Sequence, residues 1–187
     1  MIPKICNFNA NCDLGVSLNL RDVALNTINV EYNPSRFYGI VKRFKSPRTT
    51  VLIFPDGKLT ITGCKSQDEC KRAAKKTAKM LRNLHYKPII KDFRITNIMA
   101  TYDLKEITVK KTGTIVNLDE LYQTPLQEAN YVNEHFTALC CKFNEITVIF
   151  FTNGKINFTS CKDIFEIYNT FDDVISHLST YKLIEIS

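Results

Sequence analysis

Short runs of alternating apolar and polar residues recur along this chain, and they come in two matching sets. In the first set, the β-branched segment Thr49–Phe54 meets Asp56-Gly57 and is followed by the alternating segment Lys58–Thr62. In the second, Ile146–Phe151 meets Asn153-Gly154 and is followed by Lys155–Thr159. Period-2 alternation is the signature of a half-buried strand. Asp-Gly and Asn-Gly suit a two-residue type I′ hairpin, in which both central residues have positive φ. Earlier strands are expected at Tyr38–Phe44 and Thr137–Phe143, and opening strands at Ile5–Asp13 and Phe93–Leu104. Each set therefore predicts about four strands. Short helices are expected at Leu20–Leu25 and Leu118–Tyr122. Ser66 followed by Glu69 is a capping box for a long helix reaching about Leu84, with a counterpart over Asp163–Leu178.

The two sets are copies of one unit. Asn7, Ala10, Asp13 and Leu14 share their spacing with Asn97, Ala100, Asp103 and Leu104, 90 positions later. Phe54, Gly57, Lys58 and Thr62 share theirs with Phe151, Gly154, Lys155 and Thr159 at an offset of 97. Residues 1–92 and 93–187 are the expected repeats, joined in one continuous sheet. The expected fold class is α+β: two pseudo-symmetric repeats, about eight to ten antiparallel strands in one curved sheet, and two long helices on its convex face. The other sheet face is left for solvent or a ligand.

Composition narrows the function. There is no run of ~18 apolar residues that would cross a membrane, and the first residues lack a signal-peptide core, so an intracellular protein is expected. The seven cysteines contain no Cys-x-x-Cys pair and the three histidines are scattered. Free thiols, no metal, no cofactor and no catalytic grouping are the expectation. The net charge of +6 is uneven: residues 1–92 hold 17 Lys/Arg against 7 Asp/Glu, residues 93–187 hold 8 against 12. A basic first half suits a polyanion or an acidic partner.

Glu31-Tyr32-Asn33-Pro34-Ser35-Arg36-Phe37, then Ser46-Pro47-Arg48-Thr49-Thr50-Val51-Leu52-Ile53-Phe54 and Thr62-Gly63-Cys64-Lys65-Ser66, closely resemble the signature of the TATA-binding protein family. The resemblance runs from about Lys4 to Leu178 and is sharper in the first repeat. It implies a saddle that grips the minor groove of AT-rich double-stranded DNA. This family is itself the standing example of bending by phenylalanine wedges between base steps. By position the wedges are Phe37 and Phe54 in the first repeat, and Phe136 and Phe151 in the second, where the interval is two residues shorter. Asn7, Asn97, Thr62 and Thr159 take the places of the groove-floor readers, with apolar contact from Leu52 and Ile149. Arg36, Arg43, Arg48, Lys58, Lys142 and Lys155 are candidate phosphate contacts, although each has the ordinary solvated charge as its alternative.

Some positions depart from the family. Asn9 and Met99 are candidate groove-floor contacts standing where the family has valines, and Thr60 and Asn157 likewise replace valines on the same face. Glu145 stands where an arginine is usual, and Ser160 where a glycine is usual. Weaker DNA binding, or binding less strict about a TATA sequence, is the expectation. Lys71, Arg72, Lys75, Lys76 and Lys79 make the first long helix basic, either as a solvated face or as a partner surface. Glu134 resembles the acidic contact for transcription factor IIB. Implied partners are IIB-like and IIA-like factors and RNA polymerase machinery, with no small-molecule substrate. The competing reading is an interaction module that keeps the saddle with weakened DNA binding and serves as a scaffold or regulator. Abundant Ile, Asn and Lys suit an AT-rich genome such as that of a protist or a large DNA virus. The work would then be nuclear, or placed in a cytoplasmic viral factory.

Overall fold

A computed structural model describes residues 2–133 and 136–186 of the chain. Two compact units emerge, one of residues 7–97, the other of residues 98–186 with the opening residues 2–6. In chain order the elements are β1 (Lys4–Asp13), α1 (Leu20–Leu25), β2 (Val30–Tyr32), β3 (Ile40–Lys45), β4 (Arg48–Ile53), β5 (Lys58–Cys64) and α2 (Gln67–Arg82). Then come β6 (Lys91–Asp103), α3 (Leu118–Tyr122), β7 (Gln127–Asn133), β8 (Phe136–Phe143), β9 (Ile146–Phe151), β10 (Lys155–Cys161) and α4 (Ile164–Thr180).

The first unit orders its strands β2-β3-β4-β5-β1, the second β6-β10-β9-β8-β7. Counted from each repeat's own first strand, the two orders are the same, and the pairings within each are antiparallel. Strand alternation decides what is buried. Phe8, Ala10 and Cys12 of β1, Val51 and Ile53 of β4, and Leu59 and Ile61 of β5 point into the first core. α2 packs on β4 and β5 and closes that core with Ala73, Ala74, Thr77, Ala78 and Leu81. In the second unit Val148, Phe150, Ile156 and Phe158 are buried, and α4 covers β8, β9 and β10 with Ile167, Phe171, Val174 and Leu178. Tyr102 and Phe171 stack edge-on across that layer, 4.6 Å between ring centroids.

The helix ends follow the expected chemistry. Ser66 Oγ accepts from the Glu69 N–H at 3.2 Å, and Glu69 Oε2 accepts from the Lys65 N–H at 2.7 Å. Asp163 caps α4 through the Phe165 N–H at 2.9 Å. Among the described residues no helix is long and apolar enough to cross a membrane.

Two expectations need correction. Each repeat has five strands, not about four, because β2 and β7 were not expected. β2 is only three residues long, β7 is rich in polar residues, and each is an edge strand paired on one side. Such strands need little apolar content and leave a weak pattern. The hairpin turns also differ from type I′. Only Gly57 (φ +86) and Gly154 (φ +85) are left-handed; Asp56 and Asn153 are not. Gly57 N–H donates to Phe54 C=O at 3.0 Å, and Gly154 N–H to Phe151 C=O at 2.9 Å. Each is a type I turn closed by a left-handed glycine. Pro55, with φ preset by its ring, favours that turn in the first repeat, while the second forms the same turn with Thr152 in its place.

Candidate nucleic-acid interface

The face of each sheet opposite its long helix carries the half-buried residues, and antiparallel register arranges them in rows. In the first unit Asn11 faces Thr60, Thr60 faces Leu52, and Leu52 faces Val41. The next row runs Thr62, Thr50, Arg43. In the second unit Thr101, Asn157, Ile149 and Cys140 form the matching row, followed by Thr159, Thr147 and Lys142. The candidate readers Thr62 and Thr159 thus hold equivalent places, as do Leu52 and Ile149, and Arg43 and Lys142.

Asn7 and Asn9 lie on this face of β1, and Asn97 and Met99 are half-buried on β6. The Asn7 amide is tightly held: Oδ1 accepts from the Gly63 N–H at 2.8 Å, and Nδ2 donates to Asn9 Oδ1 at 3.1 Å. Gly63 (φ +82) sits in a bulge where the β1–β5 register slips between Phe8 and Ala10. Ser160 (φ +67) occupies the same left-handed place in β10, where the register to β6 slips between Phe158 and Cys161. Its hydroxyl lies 3.1 Å from that of Thr147.

The first candidate wedge pair is assembled as an aromatic cluster. Phe37 and Phe54 meet edge-on with centroids 5.9 Å apart. Tyr38 joins both, at 5.8 Å from Phe37 and 5.1 Å from Phe54, and is itself 66% exposed. A Cβ on Gly39 would come within 2.8 Å of Phe37 Cε1, so the glycine makes room for the ring. The pairing of Ile40 with Ile53 puts Phe54 opposite Gly39, two residues from Phe37. In the second unit Phe151 pairs with Ala138, two residues from Phe136. Both hairpins close on two turn residues, 46–47 and 144–145, so the shorter interval between the second pair reflects one residue pair fewer between Phe151 and the β8–β9 turn than between Phe54 and the β3–β4 turn. Phe136 opens β8, and its side chain lies outside the described residues, as does Glu134.

The six candidate phosphate contacts divide into two groups. Arg43 pairs with Glu31 at 3.1 Å, Lys58 with Asp56 at 2.8 Å and Lys142 with Glu128 at 2.8 Å. Hydrogen bonding to those carboxylates raises the Lys58 and Lys142 pKa values. Arg36, Arg48 and Lys155 are exposed and have no ion pair among the described residues. Glu145 is exposed at the β8–β9 turn. On α2, Lys71, Arg72, Lys75, Lys76 and Lys79 are all exposed. Arg72 reaches Glu69 at 3.9 Å, Lys71 lies 6.0 Å from the Phe93 ring centroid, and Lys76 Nζ donates to the Ser46 carbonyl.

Tyr38 is the residue missed by sequence reasoning. The available signal was an aromatic doublet, Phe37-Tyr38, just before a strand. A groove of about 540 Å³ beside this cluster is lined by Tyr38, Phe54, Asn11, Thr60 and Phe93 and by the charged groups Asp13, Asp56, Lys58, Asp92 and Arg94. Among the described residues no group of three His, Cys, Asp or Glu could hold a metal ion.

The model of the family described as transcription factor TFIID, or TATA-binding protein, matches residues 2–84 and 92–181. The chain is 34% identical to the TATA box-binding protein-like 2 of Rattus norvegicus over 97% of its own length and 51% of that protein, so it spans about half of that relative. It is 33% identical to the TATA-box-binding protein of Dictyostelium discoideum, covering 97% of this chain and 86% of that one. Among solved structures it resembles the Methanococcus jannaschii TBP with a TM-score of 0.80 at 28% identity, over 96% of this chain and 99% of that one. Doubled topology, repeated face and whole-chain similarity agree: the chain belongs to the TATA-binding protein family.

Proposed function

We propose that this protein binds the minor groove of AT-rich promoter DNA, bends it, and nucleates assembly of the transcription pre-initiation complex. The observation that carries the reading is the Phe37–Tyr38–Phe54 cluster, in which Tyr38 is exposed and both phenylalanines are half-buried, set in the same unit as a sheet face bearing Asn7, Thr62 and Leu52. Apolar rings at the end of a hydrogen-bonding strip are what a minor-groove wedge requires: the strip meets the A N3 and T O2 acceptors, and the rings replace base stacking at a kinked step. Arg36, Arg48 and Lys155 supply phosphate contacts without first leaving a carboxylate. Phe136, Phe151, Asn97, Thr159 and Ile149 act in the same roles in the second repeat.

The role is one of binding, with no reaction catalysed. The basic side of α2 suits acidic segments of IIA-like partners, and the region of Glu134 suits a IIB-like factor, through which RNA polymerase machinery would be recruited. The site of action is the nucleus, or a cytoplasmic factory if the gene is viral.

A second reading has its own support. Arg43, Lys58 and Lys142 are already paired with acids and Glu145 adds another negative charge, which suits a scaffold or regulator with weakened DNA binding. Fluorescence-anisotropy titration with AT-rich and GC-rich duplexes at two salt concentrations separates the two. Salt-sensitive binding that prefers the AT-rich duplex and collapses in Phe37→Ala/Phe54→Ala supports the promoter factor. Equal, weak binding to both duplexes, unchanged in the variant, rejects it in favour of the scaffold.

A further inference from the structure

Asn9 replaces the small apolar residue usual in the family with an amide, and the hydrogen bonds around it determine which end of that amide meets a ligand. Amide oxygen and nitrogen are assigned from their surroundings. The chain of assignment begins at a group that has no choice. The Gly63 N–H can only donate, so the Asn7 atom 2.8 Å away is the oxygen. Nδ2 of Asn7 is then the atom turned to Asn9, and the Asn9 atom 3.1 Å from it must accept, which makes it Oδ1. Nδ2 of Asn9 is left as the outgoing group. Neither of its hydrogens has a partner among the described residues. The bulge anchors the series: Gly63 is left-handed, and its N–H is given to a side chain instead of the β1–β5 ladder.

From this geometry we infer that Asn9 is a specificity-determining residue that enforces A·T at one base pair, an inference that rests on the minor-groove reading above. An A·T pair shows only acceptors in the minor groove, whichever way round it lies, whereas G·C adds the guanine N2 amino donor. The outgoing Asn9 amide is itself a donor. It completes a hydrogen bond with A N3 or T O2 and faces a guanine amine donor to donor, leaving both groups unpaired in a dehydrated groove. Valine would reject the guanine amine only by shape. At this position the stringency therefore rises, opposite to the looser readout that polar substitution alone suggests. Met99, the equivalent residue of the second repeat, has no such group, so the effect belongs to one position and not to its pseudo-symmetric mate.

The test is a set of anisotropy titrations of the full chain against an all-A·T duplex and duplexes in which one G·C pair is stepped through the site. Asn9→Val removes the donor. Asn9→Asp keeps an oxygen to accept from Asn7 but makes the outgoing edge an acceptor, and melting curves confirm that both variants fold. The inference expects one duplex whose penalty shrinks roughly tenfold in Asn9→Val, and shrinks further or inverts in Asn9→Asp, with the other duplexes unchanged. A wild-type protein that prefers A·T, with the same penalties at every position in both variants, overturns this role for Asn9 and leaves minor-groove binding standing. A wild-type protein that binds neither duplex overturns both.

Discussion

The Tyr38 ring lies against Phe54, 5.1 Å between centroids and tilted by 31°. That contact turns the pair of candidate wedges into a three-ring cluster. Aromatic pairs contribute about 0.5–1.5 kcal/mol beyond the area they bury, so on the proposed wedge reading Tyr38 would hold the Phe54 ring in place for insertion. Tyr38→Ala is expected to weaken binding to AT-rich DNA about threefold to tenfold with little loss of stability, since the ring is largely exposed. Anisotropy and thermal melting of the same preparation check both parts.

Salt dependence should separate the cations. Each phosphate contact contributes about 0.9 to the slope of log K against log salt. Arg48→Ala removes a cation with no ion pair among the described residues and should lower the slope by about 1. Glu31→Gln frees Arg43 from its 3.1 Å partner and should strengthen binding, most visibly at low salt. Titrations at three or more salt concentrations give both slopes.

Two glycines with similar backbone conformation should tolerate substitution differently. At Gly57 (φ +86) a Cβ would lie 2.3 Å from the Val16 carbonyl oxygen, a backbone atom that cannot step aside. At Gly63 (φ +82) the nearest atoms are 3.8–4.0 Å away, and the matching place in the second repeat is already Ser160. Gly63→Ser should cost about 1–2 kcal/mol of left-handed strain. Gly57→Ala should cost clearly more, as measured by urea denaturation.

Buried thiols make stability depend on alkaline pH. Burial pushes the Cys12 thiol up to about 11, with Asp13 adding to it. It pushes Cys141 up to about 12 and, helped by Glu166, Cys161 up to about 11. In the unfolded chain these groups release protons near 9.0. The folded state therefore holds more protons between roughly pH 9 and 11, and its stability, complete below that window, falls as pH rises through it. The expected loss is up to about 1.4 kcal/mol per thiol per pH unit. Urea melts at pH 8 and pH 10 check this, and Cys12→Ala should flatten the difference.

The fold was legible where local chemistry repeats. Asp56-Gly57 and Asn153-Gly154 located both hairpins, and Ser66 with Glu69 located the start of α2, because turns and caps are decided within a few residues. β2 and β7 were not legible, since an edge strand is held by its neighbour and needs no pattern of its own. At the candidate interface the residue types and their common face could be read from alternation. The pairing of Arg43 with Glu31 and the Asn7–Gly63 bond could not. Gly63 is 56 residues from Asn7, and its N–H is available only because a bulge removes it from the ladder. Tyr38 escaped notice because its importance comes from Phe54, which folding brings to its side.

The central claim is that the chain bends DNA by wedging rings into its minor groove. End-to-end energy transfer across an AT-rich duplex labelled at both termini tests it most directly. Saturating protein should raise the transfer efficiency, and Phe37→Ala/Phe54→Ala should abolish the rise even at concentrations where anisotropy shows the DNA bound. Binding with no change in end-to-end distance for the unsubstituted protein would contradict the account.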